Sequence, residues 1–160
     1  MSTIKDKNLA TIGQQEVDWA ARQMKVLEEI KTEFSSSKPL NGLNIGACMH
    51  VTKETANLML TLKAAGANVA LCASNPLSTK DSVAAYLSEN DIEVHAVHGV
   101  SNEDFFKHLN SVLDTNPDIT MDDGADLVTL LLTDRADIPI MGSMEETTTG
   151  VIRLKSMEKN

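Results

Sequence analysis

The sequence predicts an α/β fold built on an open, mainly parallel β-sheet of about five strands, flanked by helices in three layers. Short apolar runs of strand length alternate with segments whose apolar residues recur every three or four positions. The connections between successive runs are long enough to hold a helix, which parallel strands require. Hydrophobic residues make up 42% of the 160 residues, enough for the core of one domain.

An N-terminal region, residues 1–37, is predicted to precede this sheet. Residues 1–13 show no clear period and are expected to form a loosely packed lead-in. Over Gln14–Phe34, apolar residues at helical spacing form one stripe, which predicts a single amphipathic helix. The segment SSSKPLNG (35–42) breaks that pattern and is typical of a linker. The α/β domain is therefore placed over residues 38–160.

Strands and helices alternate through the rest of the chain. Strands are predicted at residues 43–49, 68–73, 92–97, 118–121 and 138–142. Helices are predicted at residues 53–66, 80–88, 101–113 and 125–133, and from about Thr147 to the end of the chain. Gly66 is expected to end the first of these helices, Ser78 or Thr79 to cap the second, and Ser101 with Asp104 to cap the third. The alternation is Rossmann-like or flavodoxin-like.

Composition and charge exclude several classes of protein. A net charge of −9 argues against nucleic acid or an anionic membrane surface as the main partner. No apolar stretch approaches the roughly 18 residues of a membrane span, and no signal-peptide pattern opens the chain. Cys48 and Cys72 lie in apolar runs and are expected to be buried, reduced thiols. We therefore expect a cytoplasmic protein.

Polar side chains follow the end of every predicted strand, and in a parallel sheet these ends share one edge, where ligands bind. The residues concerned are His50, Thr52, Glu54, Asn75, Ser78, His98, Asp122, Asp123, Glu145, Glu146 and Thr147–Thr149. Asp122 and Asp123 stand side by side in MDDGADL. An imidazole near such carboxylates can serve as an acid or a base. The pattern predicts a site for a small polar ligand. His95, within a strand, is expected to be partly buried and hydrogen-bonded, and His108, on a helix, is expected to be a surface residue.

Several chemistries lack their motif in this chain. There is no nucleophile-elbow serine, phosphate-binding glycine-rich loop, HExxH or CxxC. A phospho-acceptor receiver would carry its acidic pair after the first strand, whereas here the pair follows the fourth. A divalent metal held by His50, Asp122, Asp123 and Glu146 is geometrically possible, which leaves a metal-dependent hydrolase as an alternative.

Four segments resemble the amino-terminal, substrate-binding domain of the S-adenosylhomocysteine hydrolases. They are KPLNGLNIGACMHVTKET (38–55), NPLSTKDSVAAYL (75–87), MDDGADL (121–127) and MEETTTGVIRL (144–154). They occur in the family's order over most of the chain from Lys38 onward. The combination of HVTKET, DDGADL and EETTTG is specific to that family.

The resemblance implies an NAD-dependent enzyme of one-carbon metabolism that reversibly hydrolyses S-adenosylhomocysteine to adenosine and homocysteine. NAD would oxidise the ribose 3′-hydroxyl so that homocysteine can leave from the 5′ carbon. His50 and Asp123 are implied to be the acid and base groups at that carbon. The remaining implied contacts are Thr52, Glu54, Asp123 and Glu146 to the substrate (Thr52 and Glu54 to the adenine, Glu146 to a ribose hydroxyl), and Thr147, Thr148 and Thr149 to NAD.

One feature departs from the family pattern, since the chain contains no GxGxxG turn and hence no NAD-binding domain. These 160 residues alone are therefore expected not to catalyse the reaction and to need a complementary chain or domain. The resemblance also implies that the complete enzyme is a homo-oligomer. A non-catalytic nucleoside-binding or regulatory α/β domain is the alternative, and the preferred base stays open.

Overall fold

Six parallel strands form one open sheet in the computed structural model, which describes residues 1–159, and this confirms the predicted fold class. The strands are β1 (Thr3–Ile4), β2 (Asn44–Met49), β3 (Asn68–Ala73), β4 (Glu93–Ala96), β5 (Ile119–Asp122) and β6 (Gly142–Glu145). The helices are α1 (Ala10–Ala21), α2 (Lys25–Ser37), α3 (Lys53–Ala64), α4 (Asp81–Glu89), α5 (Asn102–Leu113), α6 (Asp126–Leu132) and α7 (Thr148–Met157). Single 3₁₀ turns lie at Lys7–Leu9 and Pro76–Ser78. Asn160, predicted to end the last helix and the domain, lies outside the described residues.

The strand order β1-β4-β3-β2-β5-β6 creates a switch point between β2 and β5. The chain first moves outward from β2 to β3 and β4, then crosses back to β5 on the other side of β2. The loops that leave β2 and β5 therefore diverge, which opens a crevice at the carboxyl edge, the usual ligand position in such sheets.

Two apolar cores cover the two faces of the sheet because successive strand residues point to opposite sides. Ala47, Leu71 and Val94 pack with residues of α1, α3 and α4 on one face. Cys48 and Cys72 pack with residues of α5 and α6 on the other. Both cysteines are free and fully buried, as predicted. Contact with Cys72, together with burial, raises the pKa of the Cys48 thiol.

The N-terminal region differs from its prediction in two ways. Residues 1–13 are not a loose lead-in, because Thr3–Ile4 pairs with β4 as an edge strand and α1 begins at Ala10. The single helix over Gln14–Phe34 is wrong, since α1 and α2 are separated by a turn at residues 22–24. Backbone bonds from Gln23 and Met24 reach back only three residues and close that turn. The break contains no glycine or proline, so the apolar period runs through it unmarked.

Three further expectations are corrected. The fifth strand is β6 and not residues 138–142, because Ile138 is buried against α5 and α6 and Pro139 has no N–H for the ladder. Neither Ser78 nor Thr79 caps α4, which begins without a side-chain cap, although Ser101 does cap α5 as predicted. His108 is 7% exposed and faces into the fold, whereas His95 is buried and hydrogen-bonded to Thr3 and Glu93 as expected. Burial lowers the pKa of both imidazoles.

The helix lengths can be compared with the expectation that the chain has no membrane span. Among residues 1–159, no helix combines the length and the hydropathy that a membrane span needs.

Gly13 marks the contact between α1 and α4. A Cβ atom at this position would lie 2.0 Å from the backbone oxygen of Ser82 in α4. Exchanging a mid-helix glycine for alanine normally favours the helix by roughly 1 kcal/mol. Here the two helices would have to separate, so we expect Gly13→Ala to lower the free energy of unfolding by about 1–3 kcal/mol in urea titrations.

The matched control for this substitution is Gly142→Ala. A Cβ at Gly142 would meet no heavy atom within 4 Å, so its effect is expected to stay within about 0.5 kcal/mol. A Gly13→Ala chain that is more stable than the unmodified chain would contradict the close packing of α1 on α4.

Candidate functional site

A histidine and a carboxylate meet at the switch point of the sheet. His50 follows β2 and Asp123 follows β5, and the His50 Nε2 atom lies 3.1 Å from Asp123 Oδ2. The backbone N–H of Asp123 donates to the Cys48 carbonyl at 3.0 Å, which holds the second loop against the end of β2. The two side chains are 46% and 12% exposed, so the pair is open on the imidazole side. Such a pair can pass a proton to or from a ligand at the rim.

Two serines complete a hydrogen-bonded row with this pair. The Ser74 hydroxyl donates to Asp123 Oδ2 at 3.1 Å. The Ser78 Oγ atom lies 2.5 Å from His50 Nδ1, so both imidazole nitrogens have a partner. The sequence patterns did not predict that Ser74 contacts Asp123 or that Ser78 contacts His50. The signal was the NP dipeptide after β3, because an asparagine before a proline favours the turn that brings Ser78 to the rim.

Asp122 lies beneath the rim and does not face it. The side chain is 2% exposed, and its two oxygens accept the backbone N–H groups of Leu127 and Val128 at 3.1 and 2.9 Å. Burial raises the pKa of Asp122 from 3.8 to about 6, against the effect of those two N–H groups. The nearby carboxylates of Glu145 and Asp126 add to the rise. Of the two adjacent acids, one anchors the start of α6 and the other reaches His50.

Glu145 connects the loop after β5 with the loop after β6. Its Oε1 atom accepts the backbone N–H groups of Gly124 at 2.9 Å and Thr147 at 3.0 Å. Within residues 1–159 its Oε2 atom is buried and has no hydrogen-bond partner. A Cβ on Gly150 would lie 2.2 Å from the Glu145 carboxyl carbon, so a larger residue there would displace this carboxylate. This carboxylate therefore holds the loop of Asp123 and the loop of Glu146 together.

A cleft of about 670 Å³ opens between α2 and α3, and its lining includes Met49, the residue before His50. Its walls are mostly apolar, and its acceptor groups include the carboxylates of Glu54 and Glu146. The apolar lining residues include Met24, Leu27, Ile30, Met49 and Leu58. A flat ring with N–H donors suits such walls, because its faces can be buried while its edge donates to a carboxylate. The contribution of α2 was missed, since a continuous helix over residues 14–34 would not turn toward α3.

The other predicted site residues occupy the starts of α3 and α7. Thr52 is the N-cap of α3, and its hydroxyl accepts the Thr55 N–H at 3.4 Å. Thr147 precedes α7, and the side chains of Thr148 and Thr149 are exposed in its first turn. His98 is exposed on the far part of the rim, where it bonds to Thr79 and Asp81. The roles assigned to these residues by resemblance stay predictions.

The four-ligand metal site is not formed. Asp122 is turned toward α6, and both of its oxygens are occupied there. Within the described part of the chain, no three or more His, Cys, Asp or Glu side chains are arranged to hold a metal ion. The structure therefore does not bring His50, Asp122, Asp123 and Glu146 into one ligand set.

Comparisons with known proteins match most of the chain to one group. The sequence profile described as S-adenosyl-L-homocysteine hydrolase matches residues 1–138. An adenosylhomocysteinase of Pyrococcus abyssi is 47% identical over 98% of this chain, and one of Aquifex aeolicus is 50% identical over 96%. An S-inosyl-L-homocysteine hydrolase of Methanococcus maripaludis is 50% identical over 98%. The chain spans 38% of the length of each of these relatives.

Proposed function

The chain belongs to the S-adenosyl-L-homocysteine hydrolase family, and we propose that it is the nucleoside-binding part of an NAD-dependent adenosylhomocysteinase. That enzyme would reversibly hydrolyse S-adenosylhomocysteine to adenosine and homocysteine. The observation that carries the proposal is the His50–Asp123 pair, 3.1 Å apart at the same carboxyl edge as the cleft, whose lining includes Met49, Glu54 and Glu146. A proton-transfer pair beside a nucleoside-sized cleft is the arrangement that this reaction needs.

The cleft supports a specific orientation of the nucleoside. Met49, Leu58 and the apolar residues of α2 would cover the faces of the purine. Glu54, in the first turn of α3, would accept a hydrogen bond from the base. Glu146 would accept one from a ribose hydroxyl. The 5′ carbon would then face His50 and Asp123, where a proton is given to the leaving thiolate and taken from the incoming water.

The chemistry that bound NAD would supply is oxidation of the ribose 3′-hydroxyl to a ketone, and this ketone would acidify the neighbouring 4′ hydrogen. The threonine hydroxyls and the free N–H groups at the start of α7 suit the polar oxygens of such a cofactor. In this chain Thr147, Thr148 and Thr149 would make those contacts. The remaining contacts would come from another part of the enzyme, because this sequence has no GxGxxG turn.

A substrate with a hypoxanthine base is the second candidate, because one relative is an S-inosyl-L-homocysteine hydrolase. Adenine carries an amino donor at position 6, whereas hypoxanthine carries a carbonyl acceptor there. An ionised Glu54 carboxylate only accepts hydrogen bonds, so a carbonyl in the same place would be repelled. Glu54 therefore favours adenosine over inosine.

Replacing Glu54 tests this assignment on the 160-residue chain. We expect Glu54→Ala to weaken adenosine binding by roughly 10- to 100-fold, the worth of a hydrogen bond to a charged group. Calorimetric titration with adenosine and inosine would measure both affinities. Glu54→Gln is expected to narrow the preference for adenosine, because its amide can donate to a carbonyl.

Glu89→Ala is the matched control, since this exposed glutamate ends α4 at the opposite edge of the sheet. Its adenosine affinity should equal that of the unmodified chain. Unchanged adenosine binding by Glu54→Ala would remove Glu54 from the base site.

A nucleoside-binding domain without catalysis is the alternative within the same fold. Both versions bind adenosine, so binding alone does not separate them. Replacing the corresponding part of the Pyrococcus abyssi adenosylhomocysteinase with residues 1–160 does. Homocysteine release by the chimera supports the enzymatic version, whereas a folded, adenosine-binding and inactive chimera supports the other.

A further inference from the structure

The loop that carries Asp123 contains two residues in the left-handed region of backbone conformation. Gly124 has a φ of 114° and Ala125 a φ of 63°. Alanine adopts this region at a cost because its Cβ crowds the backbone, whereas glycine is free to adopt many other conformations. The sequence of the loop therefore does not fix its shape, which depends on contacts from other segments. One such contact is the N–H group of Asp123, which donates to the Cys48 carbonyl at 3.0 Å.

On the other side of Asp123, both backbone groups of Gly124 are held by side chains of β6 and α7. The Gly124 N–H group donates to Glu145 Oε1 at 2.9 Å. The Gly124 carbonyl oxygen accepts from Arg153 Nη1, also at 2.9 Å. Glu145 is the last residue of β6, and Arg153 lies within α7. One carboxylate and one guanidinium therefore fix the orientation of the residue that follows Asp123.

The Arg153 side chain also contacts the start of α6. The same Nη1 atom donates to Asp126 Oδ1 at 2.7 Å, so Arg153 connects α7 both to the loop and to the helix that follows it. The Arg153 side chain is 44% exposed, and an exposed ion pair contributes little to the stability of a fold. We therefore expect the contact with the Gly124 carbonyl to affect the geometry of the loop more than the stability of the domain.

We propose that Arg153 is a positioning residue that, opposite Glu145, keeps the Asp123 carboxylate within hydrogen-bond distance of His50. Asp123 Oδ2 lies 3.1 Å from His50 Nε2, and the backbone that carries this carboxylate is fixed on both sides. Once the Gly124 carbonyl is released, the carboxylate is free to turn away from the imidazole. The position of the carboxylate follows from these contacts, whereas its use in hydrolysis rests on the proposed function.

NMR spectra of the His50 ring in the 160-residue chain test the proposal. Asp123→Asn gives the ring shifts of a His50 that has lost its carboxylate, and His50→Ala identifies the His50 signals among the four histidines. At one fixed pH, Arg153→Met should move the His50 ring shifts toward those of Asp123→Asn. Arg153→Lys keeps a cationic N–H donor and should bring the shifts back toward the unmodified values, which a general packing defect would not do.

Lys155→Met is the matched control, because it removes one positive charge from an exposed position of the same helix. Its His50 ring shifts should equal those of the unmodified chain. Unchanged His50 shifts in folded Arg153→Met would overturn the proposal. Equal changes in Arg153→Met and Lys155→Met would also overturn it, because they would trace the effect to the charge of α7 and not to the Gly124 carbonyl.

The Pyrococcus abyssi chimera that carries residues 1–160 keeps this proposal apart from the proposed function. In that chimera, Arg153→Met is expected to lower kcat by roughly 10-fold with little change in KM, because a small displacement of a reacting group slows the chemical step. A chimera that releases no homocysteine would contradict the proposed enzymatic function, and the His50 shifts would still decide the role of Arg153. An active chimera in which Arg153→Met raises KM alone would overturn the role of Arg153.

Discussion

Replacing His50 by alanine or Asp123 by asparagine is expected to lower kcat by roughly 10²- to 10⁴-fold, the usual contribution of a general acid or base. The host would be the Pyrococcus abyssi chimera that carries residues 1–160. The two side chains lie 3.1 Å apart and share the row Ser78–His50–Asp123–Ser74. Under the proposed function they would transfer a proton only in the transition state, so KM is expected to change much less than kcat.

The effects of the two substitutions should not be additive. Because both residues would act on one proton under the proposed function, the double variant is expected to lose about as much activity as the worse single variant. Steady-state rates of homocysteine release, together with adenosine affinities, give the required numbers.

His98→Ala is the matched control, because this imidazole on the same rim contacts the Thr79 carbonyl and not the pair, while the bond from the His98 backbone N–H to Asp81 is kept. Its activity should stay near that of the unmodified chimera. Equal losses in binding and in kcat/KM with an unchanged kcat would show that His50 and Asp123 only hold the substrate.

The second large effect is a dependence of stability on pH caused by Asp122. Its pKa is raised from 3.8 to about 6, first by burial, so the folded state keeps a proton that the unfolded state has already lost. The stabilisation is complete below about pH 4 and is lost as the pH rises through 6. The pKa difference corresponds to about 3 kcal/mol.

Asp122→Asn isolates this effect. Subtracting the free energy of unfolding of the variant from that of the unmodified chain cancels the other titrating groups, such as Glu93 and Asp104. That difference is expected to fall by about 3 kcal/mol between pH 4 and pH 7 in urea titrations. At any one pH the sign of this difference also depends on a lost hydrogen bond. The asparagine amide has one acceptor oxygen, so it cannot accept the N–H groups of both Leu127 and Val128 as the two carboxylate oxygens do.

Asp137→Asn makes the same chemical change at an exposed loop position and serves as the control. Its difference from the unmodified chain is expected to stay flat over the same range. A flat difference for Asp122→Asn would contradict the raised pKa, and would mean that the carboxylate is solvated or that the two N–H groups of α6 offset its burial.

The carboxyl edge was predictable because it depends only on strand direction. Once the alternation of strands and helices predicted parallel strands, every residue that follows a strand had to lie on one rim. His50, Glu54, Asp123 and Glu146 do lie there. That His50 meets Asp123 was not predictable from periodicity, since it depends on β5 pairing with β2 across the switch point.

Other features depended on contacts that no local pattern reports. The break between α1 and α2 has no glycine or proline, and after it α2 lies beside α3, with which it lines the cleft. Asp122 and Asp123 are adjacent residues of the same type, so their identity alone does not distinguish them. Asp122 is the last residue of β5 and its side chain points toward α6, whereas Asp123 follows the strand and its side chain lies at the rim. The edge strand β6 is mostly exposed and lacks an apolar run. The strand was therefore predicted at the apolar residues 138–142, which precede it.

Amide NMR of the isotope-labelled chain during titration with adenosine tests the central claim most directly, namely that this rim forms a nucleoside site. We predict saturable shifts confined to the carboxyl edge and the cleft, including His50, Glu54, Asp123 and Glu146, and weaker shifts with inosine. His50→Ala should keep the shifts near Glu54 and lose those near Asp123. Absent shifts at millimolar adenosine, or shifts at the opposite edge of the sheet, would contradict the account.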